Sequence, residues 1–429
     1  MALSAHRGEI LHFLSDPAAD GEQAVEHFKD GILLIEEGYI KALAEAERII
    51  EQLPAEVELF HHKESILVPG FLDTHIHYPQ CEIIAAYGTQ LLDWLETHTF
   101  PAEHRFSESA YAESVADFFL DELIRNGTTT ALVFGTVHPQ SVDAFFHAAE
   151  ARNLRMICGK VMMDRNAPDF LQDTPASSYD DSKSLIKRWH NKGRLGYAVT
   201  PRFAPTSSPQ QLEMAAKLMR EYANVHLHTH LSENTRECEW VAELYPESKN
   251  YLDVYDRFGL LGKRSVFAHG LHLSEGEWCR LKQSDSAIAH CPTSNLFIGS
   301  GLFNYQNALD HGVKVGIGTD VGGGDSFSIL RTINEAYKIQ QLNGYNLSAF
   351  QSLYLATLGS AKALNLDSCI GNFCVGKEAD FIVLDYQATP LIEFRVKHCK
   401  DVEEKLFVLE MLGDDRAVRE TWIMGKRLK

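Results

Sequence analysis

The chain has 429 residues, 45% of them hydrophobic and 23% charged, enough for a large core and for more than one structural unit. Its net charge of −19, from 40 basic and 59 acidic residues, argues against a nucleic-acid partner, because phosphate contacts need a surface rich in Lys and Arg. No apolar run approaches the roughly 18 residues of a membrane-spanning helix, and "MALSAHRGEILHFL" at the start has no uninterrupted apolar stretch of the secretory kind.

In chain order, residues 30–36, in "DGILLIEEG", read as a short strand closed by a glycine turn. Eight β-rich runs follow: "ILVPGFLDTH" (66–75), "TTTALVFG" (128–135), "MICGKVM" (156–162), "GYAVTPR" (196–202), "VHLHTH" (225–230), "SVFAH" (265–269), "SAIAHC" (286–291) and "VKVGIGTD" (313–320). Their near-continuous apolar character suits parallel strands buried on both faces. Helical stretches separate most of them. In 108–126, Tyr111, Val115, Phe119 and Leu123 step by four along one face, with Gly127 closing the helix. In "TSSPQQLEMAAKLM", Ser208 is the expected N-cap, Pro209 fits the first helical position, and Gln211 completes a capping box. Repeated strand–helix units predict an α/β fold, a TIM-like (β/α)₈ barrel over 66–370. The tail, "GKEADFIVLD" and "TWIMGKRLK", returns to short strands. It predicts a small β-sandwich domain built from both termini, 1–65 plus 371–429. The eight cysteines (81, 158, 238, 279, 291, 369, 374 and 399) form no C-x-x-C pair. They are expected as reduced, mostly buried thiols of a cytoplasmic protein.

Barrels of this kind gather their chemistry at the carboxyl ends of the strands. The first run ends in His75 and His77, the fourth in Arg202 and Phe203, the fifth in His230, the sixth in His269 and the eighth in Asp320. Side chains two apart on a strand share a face, so His75 and His77 can reach one ion. With His230 and Asp320 they supply three nitrogens and a carboxylate oxygen, a set that suits Zn²⁺ or Fe²⁺. His228 shares a face with His230 but lies deeper and is left out of the set. A metal raises the acidity of bound water enough for attack at neutral pH, and Asp320 is placed both to touch the metal and to take the proton. Glu233, three residues after His230, is placed to donate a proton. His269 is expected to orient or polarise the nucleophile.

"PGFLDTHIH", "THLSEN", "FAHG", "HCPTSN" and "GTDVGGG", in that order and spacing, resemble the metal-dependent amidohydrolase superfamily, and within it the enzymes that deaminate guanine. The resemblance covers essentially the whole chain, with "DTHIHYPQ", "TPRFAPTSS" and "THLSENTRE" as its specific marks. It implies one zinc ion on His75, His77, His230 and Asp320, a purine held by Gln80, Arg202 and Phe203 with His230, Glu233 and Asp320 beside it, Glu233 as the acid for a ring nitrogen, and Asp320 as the base. It also implies a homodimer. Arg202 offers fixed donors, Gln80 both a donor and an acceptor, and Phe203 a stacking face, which suits the edges and plane of guanine.

The nearest alternative is a deaminase of the same superfamily acting on another purine, a pterin or a triazine. A binuclear enzyme opening cyclic amides would need a lysine where Arg202 stands, leaving only Lys160 in the third run as a substitute. Zinc deaminases with a C-x-x-C signature are excluded, and a barrel kept only for binding would have no need of the full catalytic set. Two stretches are open: "VGGGDSFS" after Asp320, whose glycines allow close backbone approach, and "LLDWLETHTFP" (91–101), expected as a lid carrying Trp94 and Phe100 or as buried helix packing.

Overall fold

The computed structural model describes residues 3–54, 56–88 and 90–429. Eight strands lie side by side in chain order: Phe71–His77, Thr128–Phe134, Arg155–Gly159, Gly196–Pro201, His226–Leu231, Ser265–His269, Ala287–His290 and Lys314–Ile317. Every neighbouring pair is parallel. The short piece Val161–Met162 extends the third strand and pairs with the fourth. The last strand returns to the first: Asp320 N–H donates to His75 O at 2.9 Å, and Thr319 N–H to the Asp73 carboxylate at 3.1 Å. The barrel is therefore nearly closed. Its strands are buried on both faces, which is why they lack an alternating pattern.

The two termini build a separate seven-stranded sheet. Its order is Lys426–Arg427, Val418–Ile423, Phe381–Asp385, Glu58–Pro69, Leu3–Phe13, Val25–Glu36 and Tyr39–Glu45. The predicted run 66–75 is thus two strands. Residues 66–69 finish a strand of the terminal sheet and residues 71–77 open the barrel. Gly70 stands at the junction, where only hydrogen fits: a Cβ would sit 2.3 Å from Thr129 Oγ1.

The helix predicted over 108–126 spans Ser109–Arg125, with Phe119 and Leu123 fully buried. Ser208 caps Pro209–Glu221 by accepting from Gln211 N–H at 3.1 Å. The reciprocal half of the capping box does not form. Gln211 turns its amide to Ser178 Oγ at 2.7 Å, and Ser208 N–H donates to Asp164 at 2.7 Å. All eight cysteines are free; Cys158 and Cys291 are buried, Cys279 is exposed, and the other five are intermediate.

A buried ionic cluster joins the two sheets at the amino ends of the barrel strands. Arg194, just before the fourth strand, donates to Glu378 at 2.7 and 3.0 Å and to Asp380; Arg155, opening the third strand, donates to Glu378 at 2.8 Å. Removing one partner of a buried pair strands the others in low dielectric. Arg194→Met is therefore expected to cost about 3–5 kcal/mol and lower the melting temperature. An unchanged thermal melt would show that the cluster contributes nothing.

Candidate metal and substrate site

The carboxyl ends of the strands bring the predicted residues together. His75 and His77 finish the first strand, Arg202 and Phe203 follow the fourth, His230 sits near the end of the fifth and His269 ends the sixth. Asp320 lies three residues past the eighth strand, in the loop. His269 and Asp320 both adopt left-handed backbone, with φ of 73° and 51°. For residues other than glycine this costs on the order of 1–3 kcal/mol each, and such strain collects where side chains are re-aimed for function.

The imidazoles and the carboxylate form one buried cluster. His75 Nε2 lies 3.1 Å and His77 Nε2 3.3 Å from Asp320 Oδ1, and the two Nε2 atoms are 3.2 Å apart. Four donor atoms, from His75, His230, His269 and Asp320, all fall within 4.8 Å of one another. His77 touches two members of that group. His269, expected as an orienting residue, thus places a donor atom in the same group as three of the expected ligands. Outer contacts set the ring nitrogens. His230 Nδ1 donates to Arg202 O at 2.7 Å, and His269 Nδ1 pairs with Asn295 Oδ1 at 2.8 Å. Each therefore turns Nε2 inward, and His269 Nε2 is buried with no hydrogen-bond partner among the described residues. His228 does not enter the cluster but bonds His75 Nδ1 from behind at 2.7 Å. Such outer partners orient metal ligands and fix their tautomers.

Burial pushes the imidazoles toward the neutral form: His77 down to about 3, and His75 and His230 downward. Burial alone would raise Asp320, but His75 and His77 outweigh it and hold the carboxyl well below its ordinary value. Neutral imidazoles and an ionised carboxylate are the forms that bind a metal. The donor set, the protonation states and the inward His269 Nε2 together fit a divalent cation.

A cavity opens beside this cluster. Gln80, Arg202, Phe203 and Glu233 line it along with His77, His230 and Asp320. Glu233 is pushed up to about 8, by burial first and then by the charge of Asp320, so it holds a proton at neutral pH. Ser300 Oγ donates to its Oε1 at 3.3 Å. Its backbone is pinned by Glu237, whose carboxylate accepts from Glu233 N–H at 2.9 Å and Asn234 N–H at 3.1 Å and is itself held by Tyr251 OH at 2.6 Å. That capping residue was readable as a helix start in "SENTRE", though not as a support for Glu233.

Residues 91–104 are helical and cover the cavity with Leu91, Trp94 and Leu95. The segment is both cover and buried packing: Trp94 is 3% and Phe100 5% exposed. Phe100 faces the Arg202 guanidinium with its ring centre 5.6 Å away rather than lining the cavity. From the glycine loop, Gly323 lines the cavity, where a Cβ would lie 2.8 Å from Ser294 Oγ and 2.9 Å from Ile298 Cδ1. Sequence reading missed Glu103 entirely. Its carboxylate, fully buried, receives Arg202 Nη1 at 2.8 Å on both oxygens. Lys160, the residue a binuclear site would need, is buried with its ammonium held by Asp173 and by Val161 O.

A nearly closed parallel barrel with this cluster at its mouth defines a barrel hydrolase able to hold a metal ion. The model of the amidohydrolase family matches residues 66–428, and the chain belongs to that family. It is 56% identical to the guanine deaminase of Escherichia coli (strain K12) over 426 residues, 99% of this chain and 97% of that one. The solved structure of E. coli guanine deaminase superposes with a TM-score of 0.97 at 54% identity, covering 99% of both chains. That of guanine deaminase from C. acetobutylicum, with guanine bound in the active site, gives 0.90 at 28% identity and covers 100% of both. Among the described residues, no helix is long and apolar enough to cross a membrane.

Proposed function

We propose that the chain deaminates guanine hydrolytically, yielding xanthine and ammonia. The observation that carries this reading is a single cavity lined by the groups suited to read a purine, Gln80, Arg202 and Phe203, and by those suited to attack it, Glu233 and Asp320. Full-length likeness to guanine deaminases, one of them solved with guanine, supports the same substrate. Arg202 donates to a ring or carbonyl acceptor. Gln80 has its orientation set by Gly322 N–H, which donates to Oε1 at 3.2 Å; its Nε2 gives one N–H to Glu103 at 3.4 Å and keeps the other for the base. Phe203 supplies the stacking face.

Asp320 takes a proton from the attacking water. Glu233 gives its proton to the ring nitrogen next to the amine-bearing carbon. The adduct collapses as Asp320 passes its proton to the amine, which leaves as ammonia, and the new hydroxyl returns a proton to Glu233 as it becomes the carbonyl of xanthine. His269, with Nε2 3.4 Å from Glu233 and 3.7 Å from Asp320, orients the water between them. His75, His77, His230 and Asp320 would hold one divalent cation per chain, Zn²⁺ or, with the same donors, Fe²⁺. Such an ion, when bound, lowers the pKa of a water toward neutrality. In this reading residues 66–370 form the catalytic barrel and residues 1–65 with 371–429 the small β domain. Eight free cysteines support a cytoplasmic setting. A homodimer working in guanine breakdown or salvage completes the proposal.

Ammonia release from guanine, adenine, cytosine and a pterin, with and without a chelator, tests it. Guanine is expected to be turned over far faster than the rest. Chelation is expected to remove both the activity and the metal found by elemental analysis, and added Zn²⁺ to restore both. Release from the pterin but not from guanine would overturn the substrate, and full activity in metal-free protein would overturn the metal.

A further inference from the structure

Arg202 is 2% exposed and lines the cavity, yet Asp320, the charged acid on the same wall, is engaged with the imidazole cluster. Its counter-charge comes from behind. Glu103, on the helix Phe100–His104 and absent from the cavity wall, places both carboxylate oxygens 2.8 Å from Nη1. The same carboxylate receives Gln80 Nε2 at 3.4 Å. One buried acid therefore touches both polar residues that are suited to read the base. Because its contacts with the described residues fall on Nη1, the N–H groups of Nε and Nη2 are left for a ligand.

An unpaired guanidinium in a dry pocket selects carboxylates, phosphates and other anions, since its strongest partners are charged. Paired with a buried carboxylate, it keeps its donor directions, and the pair as a whole carries no net charge. We infer that Glu103 is a positioning and specificity residue: it aims Arg202 and Gln80 and cancels the arginine's charge, so that the pocket takes a neutral heterocycle and disfavours an anion. This deepens the guanine reading and rests on it for the choice of ligand. It also bears on product release. Xanthine, with N–H groups flanked by carbonyls, gives up a proton more readily than guanine, and an ionised product would leave a neutral-selective pocket.

The test is equilibrium binding of xanthine at a series of pH values to wild type, Glu103→Gln and Glu103→Asp, with guanine KM and kcat measured alongside. Wild type is expected to bind xanthine less tightly as it ionises. Glu103→Gln keeps the size but not the charge. It is expected to weaken guanine by about tenfold, the scale of one misdirected charge-assisted hydrogen bond, mainly in KM. It should also reverse the pH trend for xanthine, so that binding tightens on ionisation. Glu103→Asp keeps the charge with a shorter reach: guanine weakens, and the xanthine trend stays as in wild type. Wild type that binds ionised xanthine more tightly, or a Glu103→Gln variant with the wild-type pH trend, would overturn the inference, and the first of these needs no variant to fold. Binding does not require turnover, so failure to release ammonia from guanine would sink the proposed function alone.

Discussion

Asp320→Asn is expected to abolish ammonia release from guanine, lowering kcat by at least about a thousandfold, or about 4 kcal/mol of barrier. Asparagine matches the carboxylate in shape, and the backbone bond from residue 320 N–H to His75 O, at 2.9 Å, does not depend on the side chain. Circular dichroism and the melting curve should therefore stay close to wild type. What disappears is the negative charge facing His75, His77 and His269 at 3.1, 3.3 and 3.7 Å, and with it, among the described residues, the ionised group placed to accept a proton from the nucleophile. Elemental analysis separates the two losses. Retained metal with lost turnover assigns the defect to proton transfer, and lost metal assigns it to ligation. Wild-type turnover in this variant would remove Asp320 from the chemistry altogether.

The barrel was readable because parallel strands buried on both faces are nearly continuous apolar runs, and all eight runs correspond to strands. Their ends were less readable. The run 66–75 crosses from one sheet to the other at Gly70, where the need for glycine comes from the distant neighbour Thr129, which no local pattern reveals. The run 313–320 stops being strand at Ile317, so Asp320 reaches the cluster from a loop in left-handed conformation. The mouth cluster was readable for a different reason: the fold rule that puts chemistry at strand ends applies to every strand, so five separate histidines and acids could be placed at once. His228, deeper in its strand than His230, takes a position behind His75 that strand order alone does not reveal. Glu103 escaped that rule because it comes from a helix between the first two strands and meets Arg202 across 99 residues of sequence. Only the folded chain shows that pairing.

Glu233→Gln is the second substitution with a large expected effect. Glu233 is 3% exposed, and burial together with Asp320 raises it to about 8, so at neutral pH the residue carries the proton that the ring nitrogen must receive. Glutamine can still accept from Ser300 Oγ and fill the same space, and Glu237 continues to hold the backbone of residues 233 and 234. Binding should therefore change little, while the step that needs a donated proton slows by roughly a hundred- to ten-thousandfold, the usual contribution of a positioned acid. The expected signature is a fall in kcat with KM within a few-fold of wild type. A loss confined to KM would instead make Glu233 a binding residue, and its place in the proton path would pass to another group on the cavity wall.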